Sequence, residues 1–130
     1  MVCGSRDWDD EEAIFTVLNG YLRDDMPMTV INGGALGADA IATRWAMRNQ
    51  SIWSESNPPE KLVELTVYPA QWEKYGNTAG PRRNMLMLAD GKPDVVWCFI
   101  NKPLHESRGS ADMVRRARAA GVPTYVVTAS

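Results

Sequence analysis

The chain has little of what metal, redox and membrane proteins need. Its 130 residues hold two cysteines, Cys3 and Cys98, and one histidine, His105. Neither cysteine belongs to a C-x-x-C pair or to a Cys/His spacing suited to zinc, so no metal site, redox motif or cofactor is expected. Both fall in strand-like runs, where free thiols serve as small core hydrophobes, and buried free thiols are expected over a disulfide. His105 lies in a polar loop without a Ser or Cys partner in a nucleophile motif, so it is read as a surface residue, with lid or proton-transfer duty as the alternative. No apolar run approaches the ~20 residues of a membrane helix, and no charged segment followed by an apolar stretch opens the chain. A cytoplasmic location without a membrane partner is the expectation. Positive charge is not in excess either: the net charge is −2 and the pI is about 5.4. That balance argues against a broad basic surface for DNA or RNA, while a small anion needs only a local positive pocket. Repeats and low-complexity segments are absent, and the length suits a single domain, residues 1–130.

What the chain does have is alternation. Met1-Val2-Cys3 resembles the end of a strand, either unusually short or the tail of one beginning upstream. Asp9 to Glu12 place acids at a helix start, and Ile14, Val17, Leu18, Tyr21 and Leu22 recur at i, i+3, i+4 spacing on one buried face. Pro27 breaks that pattern. Met28 to Ile31 form an apolar strand entering Asn32-Gly33-Gly34, and Ala38, Ile41, Ala42, Trp45 and Ala46 return to helical spacing. Asn49 to Glu60, with Asn57-Pro58-Pro59, is expected to be a surface excursion. Leu65 to Tyr68 form a strand, Gln71 to Gly76 a polar aromatic loop, and about Pro81 to Ala89 a helix with Pro81 in its first turn. Asp94 to Ile100 are almost continuously apolar, as a central parallel strand should be. A helix through Met113, Val114, Ala117 and Ala120 stops at Gly121-Val122-Pro123 before a last strand at Thr124 to Val127. The order β-α-β-α-β-α-β-α-β implies a Rossmann-like three-layer α/β/α fold with a mostly parallel five-stranded sheet.

Four polar, Gly-marked segments stand at the junctions: Gly4-Ser5-Arg6-Asp7, Gly33 to Asp39, Gly80-Pro81-Arg82-Arg83-Asn84 and Arg108-Gly109-Ser110. In a parallel sheet such junctions meet at one edge, where ligands bind. Glycine backbones and helix N-termini offer N–H groups and a positive dipole end, so a small, anionic, nucleotide-like ligand is expected.

Gly4-Ser5-Arg6-Asp7-Trp8, Gly33-Gly34-Ala-x-Gly37-Ala38-Asp39, Tyr68-Pro69-Ala70-x-Trp72, Ala79-Gly80-Pro81-x-Arg83-Asn84 and Gly109-Ser110-Ala111-Asp112, in this order, resemble the YspA/YpsA-related SLOG family. The resemblance implies a Rossmann-like fold that binds nucleotides or nucleotide-derived ligands, in bacteria or their phages, and it implies homo-oligomers. The wider superfamily includes LOG-type phosphoribohydrolases, which cleave the N-glycosidic bond of nucleoside monophosphates, and the DNA-processing protein DprA. The first makes an N-glycosidase the alternative function; the second makes single-strand binding a further one, which the acidic charge disfavours. Against the LOG motifs, Arg83-Asn84-Met85-Leu86-Met87 keeps the Arg and Met but lacks the Lys, and Met113 stands at the offset of the catalytic Glu. A thioether neither stabilises an oxocarbenium-like sugar nor activates water, so Asp7, Asp39 or Asp112 would have to supply the carboxylate.

Each candidate also has a plain structural reading. The Gly33, Gly34, Gly37 turn either cradles a phosphate or simply connects strand to helix. Asp39 in the first helical turn competes with an anion, and either caps the helix or accepts from ligand hydroxyls. Arg6 and Asp7 face a ligand or pair with each other. Trp8 stacks a base or packs in the core. Arg82 and Arg83 oppose the dipole of the helix they open, so at least one, preferably Arg83, is expected to meet an anion. Asn84 supports the turn or donates to the ligand. Gly109 and Ser110 form a second phosphate cradle, or Ser110 is an N-cap. Arg115, Arg116 and Arg118 are expected on a solvated face.

Overall fold

The computed structural model describes residues 1–22, 26–50 and 63–129. Most of the expected excursion, residues 51–60, lies outside them. Five strands, β1 (Val2–Gly4), β2 (Met28–Asn32), β3 (Val63–Val67), β4 (Val96–Ile100) and β5 (Thr124–Thr128), alternate with helices. The helices are α1 (Glu11–Tyr21), α2 (Ala38–Asn49), α3 (Trp72–Tyr75), α4 (Ala79–Gly91) and α5 (Arg108–Ala119).

Every strand pairing is parallel, and the described strands form two hydrogen-bonded ladders, β1-β4-β5 and β2-β3. β1 lies beside β2, so the order across the molecule is β3-β2-β1-β4-β5, although no ladder spans the β1/β2 seam. The five parallel strands expected from the sequence are all present, as two ladders that part where the shortest strand, of three residues, stands in the middle. Side chains alternate across the layer as strand geometry requires. Val2, Val30 and Phe99 pack with Ile14 and Leu18 of α1 and Ile41 and Trp45 of α2. Cys3, Ile31 and Cys98 pack on the other face with Met87 of α4 and Met113, Val114 and Ala117 of α5.

The helix signals are met by the expected chemistry. Asp10 caps α1 by accepting from Ala13 N at 3.1 Å, with Glu11 and Glu12 in the first turn. The whole apolar stripe expected on α2 is buried, and Trp45 Nε1 donates to Asn19 Oδ1 of α1 at 2.8 Å. Tyr21 departs from its expected buried face. It is 43% exposed at the last turn of α1, and its hydroxyl accepts from Trp97 Nε1 at 3.0 Å. The polar aromatic loop is also more ordered than expected: Trp72–Tyr75 make one helical turn and Gly76–Thr78 a 3₁₀ turn leading into α4. Cys3 and Cys98, in register on β1 and β4, are buried free thiols as expected.

Candidate ligand-binding site

The C-terminal ends of β1 and β4 are bound together by their loops. Ser5 N donates to Phe99 O at 2.9 Å, Asn101 N to Ser5 Oγ at 3.2 Å, and Asn101 Nδ2 to Asp7 Oδ1 at 2.9 Å. Ala38 N, opening α2, donates to Ser5 O at 3.2 Å, so the loop after β2 is fixed to the loop after β1. Gly37 takes a φ of +71° there, and a Cβ would collide with the backbone of Ser5 and Arg6. The glycine at this position is a requirement of backbone approach.

Above this floor opens a cavity of about 810 Å³. Its lining includes Gly4, Ser5, Arg6 and Asp7 after β1, Asp39 of α2, Gly80, Arg83 and Asn84 of α4, and Gly109, Ser110 and Asp112 of α5. All four Gly-marked segments therefore contribute to one site at the edge where parallel sheets bind ligands, with a volume in the usual range for small-molecule pockets. An adjoining hollow of about 340 Å³ holds Gly33 and Gly34 and shares Arg6, Trp72 and Arg83 with the first.

The Gly33–Gly34 turn is not an open phosphate cradle. Asp39 Oδ2 accepts from Gly33 N and Ala35 N, each at 3.1 Å, and Asn32 Oδ1 accepts from Gly34 N at 2.8 Å. Asp39 does not cap its helix: α2 has Gly37 at its N-cap with no side-chain bond, and Asp39 instead closes the turn ahead of the helix by accepting from its amides. Burial raises its pKa, while the two amides and the charges of Arg83 and Arg6 oppose that rise. Arg83 is the matching cation. Its Nη1 donates to Gly33 O at 2.8 Å and its Nε to Asn84 Oδ1 at 3.0 Å, and burial lowers its pKa against the pull of Asp39.

Asp112 is held still more tightly. It accepts from Asn84 Nδ2 at 3.0 Å, Arg115 Nη2 at 2.8 Å and Arg116 Nε at 2.9 Å, and Asn84 Nδ2 also reaches Gly109 O at 3.1 Å. Arg115 and Arg116, expected as plain solvated residues, are thus partly spent on Asp112. Met113 is buried in the cavity wall one residue on.

Three candidates line neither the cavity nor the adjoining hollow: Gly37, which serves the backbone approach above, Trp8 and Arg82. Trp8 is 5% exposed, its ring edge-on to Phe99 at 5.5 Å and its Nε1 donating to Asp10 O, so it is a core residue. Arg82 points along its own helix, donating to Thr78 Oγ1 at 3.2 Å and lying over Tyr75 at 4.4 Å. Arg6 and Asp7 make no salt bridge among the described residues; Arg6 lies 5.9 Å over Trp72 and Asp7 meets Asn101.

Sequence reasoning gave no site role to Lys102 or Ser107, and Trp72 entered only through the family motif; all three are in the cavity lining, as is Arg108 of the fourth Gly-marked segment. Ser107 carried a readable signal, a serine just ahead of a helical pattern. It stands at the N-cap of α5, yet its side chain makes no capping bond, and its Oγ is shielded from solvent without a hydrogen-bond partner.

Fold and site together define a Rossmann-like α/β domain with its cavity at the C-terminal edge of parallel strands. The chain belongs to the YspA, cpYpsA-related SLOG family, whose model matches residues 1–75. It is 36% identical over 126 residues to the Gene 61 protein of Mycobacterium phage D29, covering 95% of this chain and 90% of that protein. No solved structure matches it. The family match spans β1 to α3, and the phage relative extends the likeness across the α4 and α5 walls of the cavity.

Proposed function

We propose that this protein binds a nucleotide or nucleotide-derived small molecule in the large cavity, as a sensor or binding module. The carrying observation is the open start of α5 in that cavity. Ser107 leaves the helix uncapped, and the amides of Arg108, Gly109 and Ser110 stand at the positive end of a twelve-residue helix. Such an end is suited to a phosphate. The Gly33–Gly34 turn contributes differently, by fixing Asp39 and through it Arg83. Trp72, half exposed beside Arg6, offers a face for a base. The test is a panel of ribo- and deoxynucleotides followed by thermal unfolding and calorimetry. A specific ligand at about 100 times its Kd stabilises the fold by about 2.7 kcal/mol. A panel without any specific shift defeats the reading.

A second reading, hydrolysis of an N-glycosidic bond, is favoured by one observation only. Asp7 lines the cavity with one carboxylate oxygen bound to Asn101 and the other without a partner among the described residues, whereas Asp39 and Asp112 are engaged by several donors. On this reading Asp7 would be the carboxylate that meets the anomeric carbon. Released base from a nucleoside monophosphate, lost in Asp7→Asn, supports this chemistry; intact nucleotides beside specific binding exclude it.

A further inference from the structure

Charge is distributed unevenly in this protein. The chain as a whole carries −2. Around the cavity, Arg6, Arg83, Lys102 and Arg108 stand in the lining and Arg115 and Arg116 grip a lining carboxylate, six cations against the three carboxylates Asp7, Asp39 and Asp112. Asp112 is answered by its two arginines and Asp39 by Arg83. Arg6, Lys102 and Arg108 have no carboxylate within 4.0 Å among the described residues.

The start of α5 compounds this excess. A helix N-terminus is ordinarily stabilised by a side-chain cap and by acids in the first turn. Here neither is present, and Arg108 occupies the first helical position, where the dipole opposes a cation. The buried Ser107 Oγ has no partner at the same place. Local choices that conflict in this way at several positions mark a site completed by something outside the chain.

The magnitude of the excess distinguishes the anion. With Asp39 and Asp112 already answered, Arg6, Lys102 and Arg108 against Asp7 leave +2, and the helix end adds roughly +0.5. A phosphate monoester carries only about −1.5 to −2 at pH 7. We propose that the cavity takes a ligand bearing a chain of at least two phosphates, of the nucleoside diphosphate class, with one phosphate at the Ser107–Ser110 helix start and the next reaching Arg6 and Lys102. The inference rests on the nucleotide reading above and narrows it. Arg6 and Lys102 follow β1 and β4, and the Asn101 bonds to Ser5 and Asp7 keep those two loops side by side.

The test uses inorganic phosphate and inorganic pyrophosphate as probes for calorimetric titration of the full chain. Pyrophosphate is expected to bind at least tenfold more tightly than phosphate. Lys102→Gln and Arg6→Gln, both at exposed positions, are expected to cut that preference at least threefold while thermal unfolding without ligand is unchanged. Equal affinity for the two probes overturns the inference, as does a preference untouched by both substitutions. The nucleotide reading is tested separately with nucleoside monophosphates and diphosphates. Diphosphates binding no better than bare pyrophosphate defeats that reading and leaves the phosphate-chain preference standing, whereas tight monophosphates without any gain on adding a phosphate does the reverse.

Discussion

Arg83 Nη1 donates to the carbonyl of Gly33 at 2.8 Å across fifty positions of sequence, and the guanidinium lies where a Cβ on Gly33 would have to go. One contact thus joins the turn after β2 to the first turns of α4, and it sets where the positive charge stands in the cavity. Gly33→Ala is expected to displace Arg83 and weaken anion binding by at least about tenfold, the scale of one charged hydrogen bond. Arg83→Ala should lose a similar amount, and the double substitution little more than either. Calorimetric titration of the four proteins checks this, and additive losses would show that the residues act separately.

Asp39 gives the stability a pH dependence of definite sign. Burial raises its folded pKa above the ordinary 3.8, so between those two values the folded chain holds a proton that the unfolded chain has released. Stability from this group therefore rises as pH falls through that window and is lost as pH rises through it. Relative to Asp39→Asn, the unsubstituted protein should gain stability on acidification from neutral pH towards 4. Urea unfolding of both proteins over that range measures the difference, and parallel pH profiles would refute it.

Trp8 separates packing from recognition. Trp8→Ala should cost about 3–5 kcal/mol, the usual range for emptying a buried aromatic site. Trp8→Phe should retain most of the stability and all of the ligand affinity. A selective loss of affinity in the phenylalanine variant would return Trp8 to the ligand site.

Asp112→Ala should destabilise by about 1–3 kcal/mol, because it leaves the buried Asn84 amide with one acceptor fewer. The effect appears as a lower urea midpoint. Arg115→Ala, whose side chain is 72% exposed, should change stability by less than about 1 kcal/mol.

The sequence carried the convergence of the site because topology alone enforces it: in a parallel β/α chain, Gly4, Gly33, Gly80 and Gly109 all follow strands or open helices at one edge. Periodicity carried the α2 stripe from Ala38 to Ala46 and the apolar β4 strand for the same local reason. Side-chain commitments were not legible, since they depend on partners far along the chain. Nothing near Gly33 announces that Asp39 fills its amides, and nothing near Arg82 says that Tyr75 draws it away while Arg83 turns inward. Trp8 was ambiguous because an aromatic beside a site motif suits a ligand and a core equally until Phe99 is placed against it. The division of the sheet escaped pattern reading too, because a strand's apolar character says nothing about which neighbour its backbone bonds.

The pairing of Cys3 with Cys98 has a practical consequence. These are the chain's two cysteines, and only Cys3 lines the cavity, while Cys98 is fully buried beside it. The hydrogen bond with Cys98, and burial, push the Cys3 thiol up, so alkylation there is slow. A small electrophile that enters the cavity therefore meets one thiol at its floor, and any molecule filling the cavity stands in the way. The rate of that single modification is a built-in occupancy gauge, one that registers a bound ligand before its chemical identity is known.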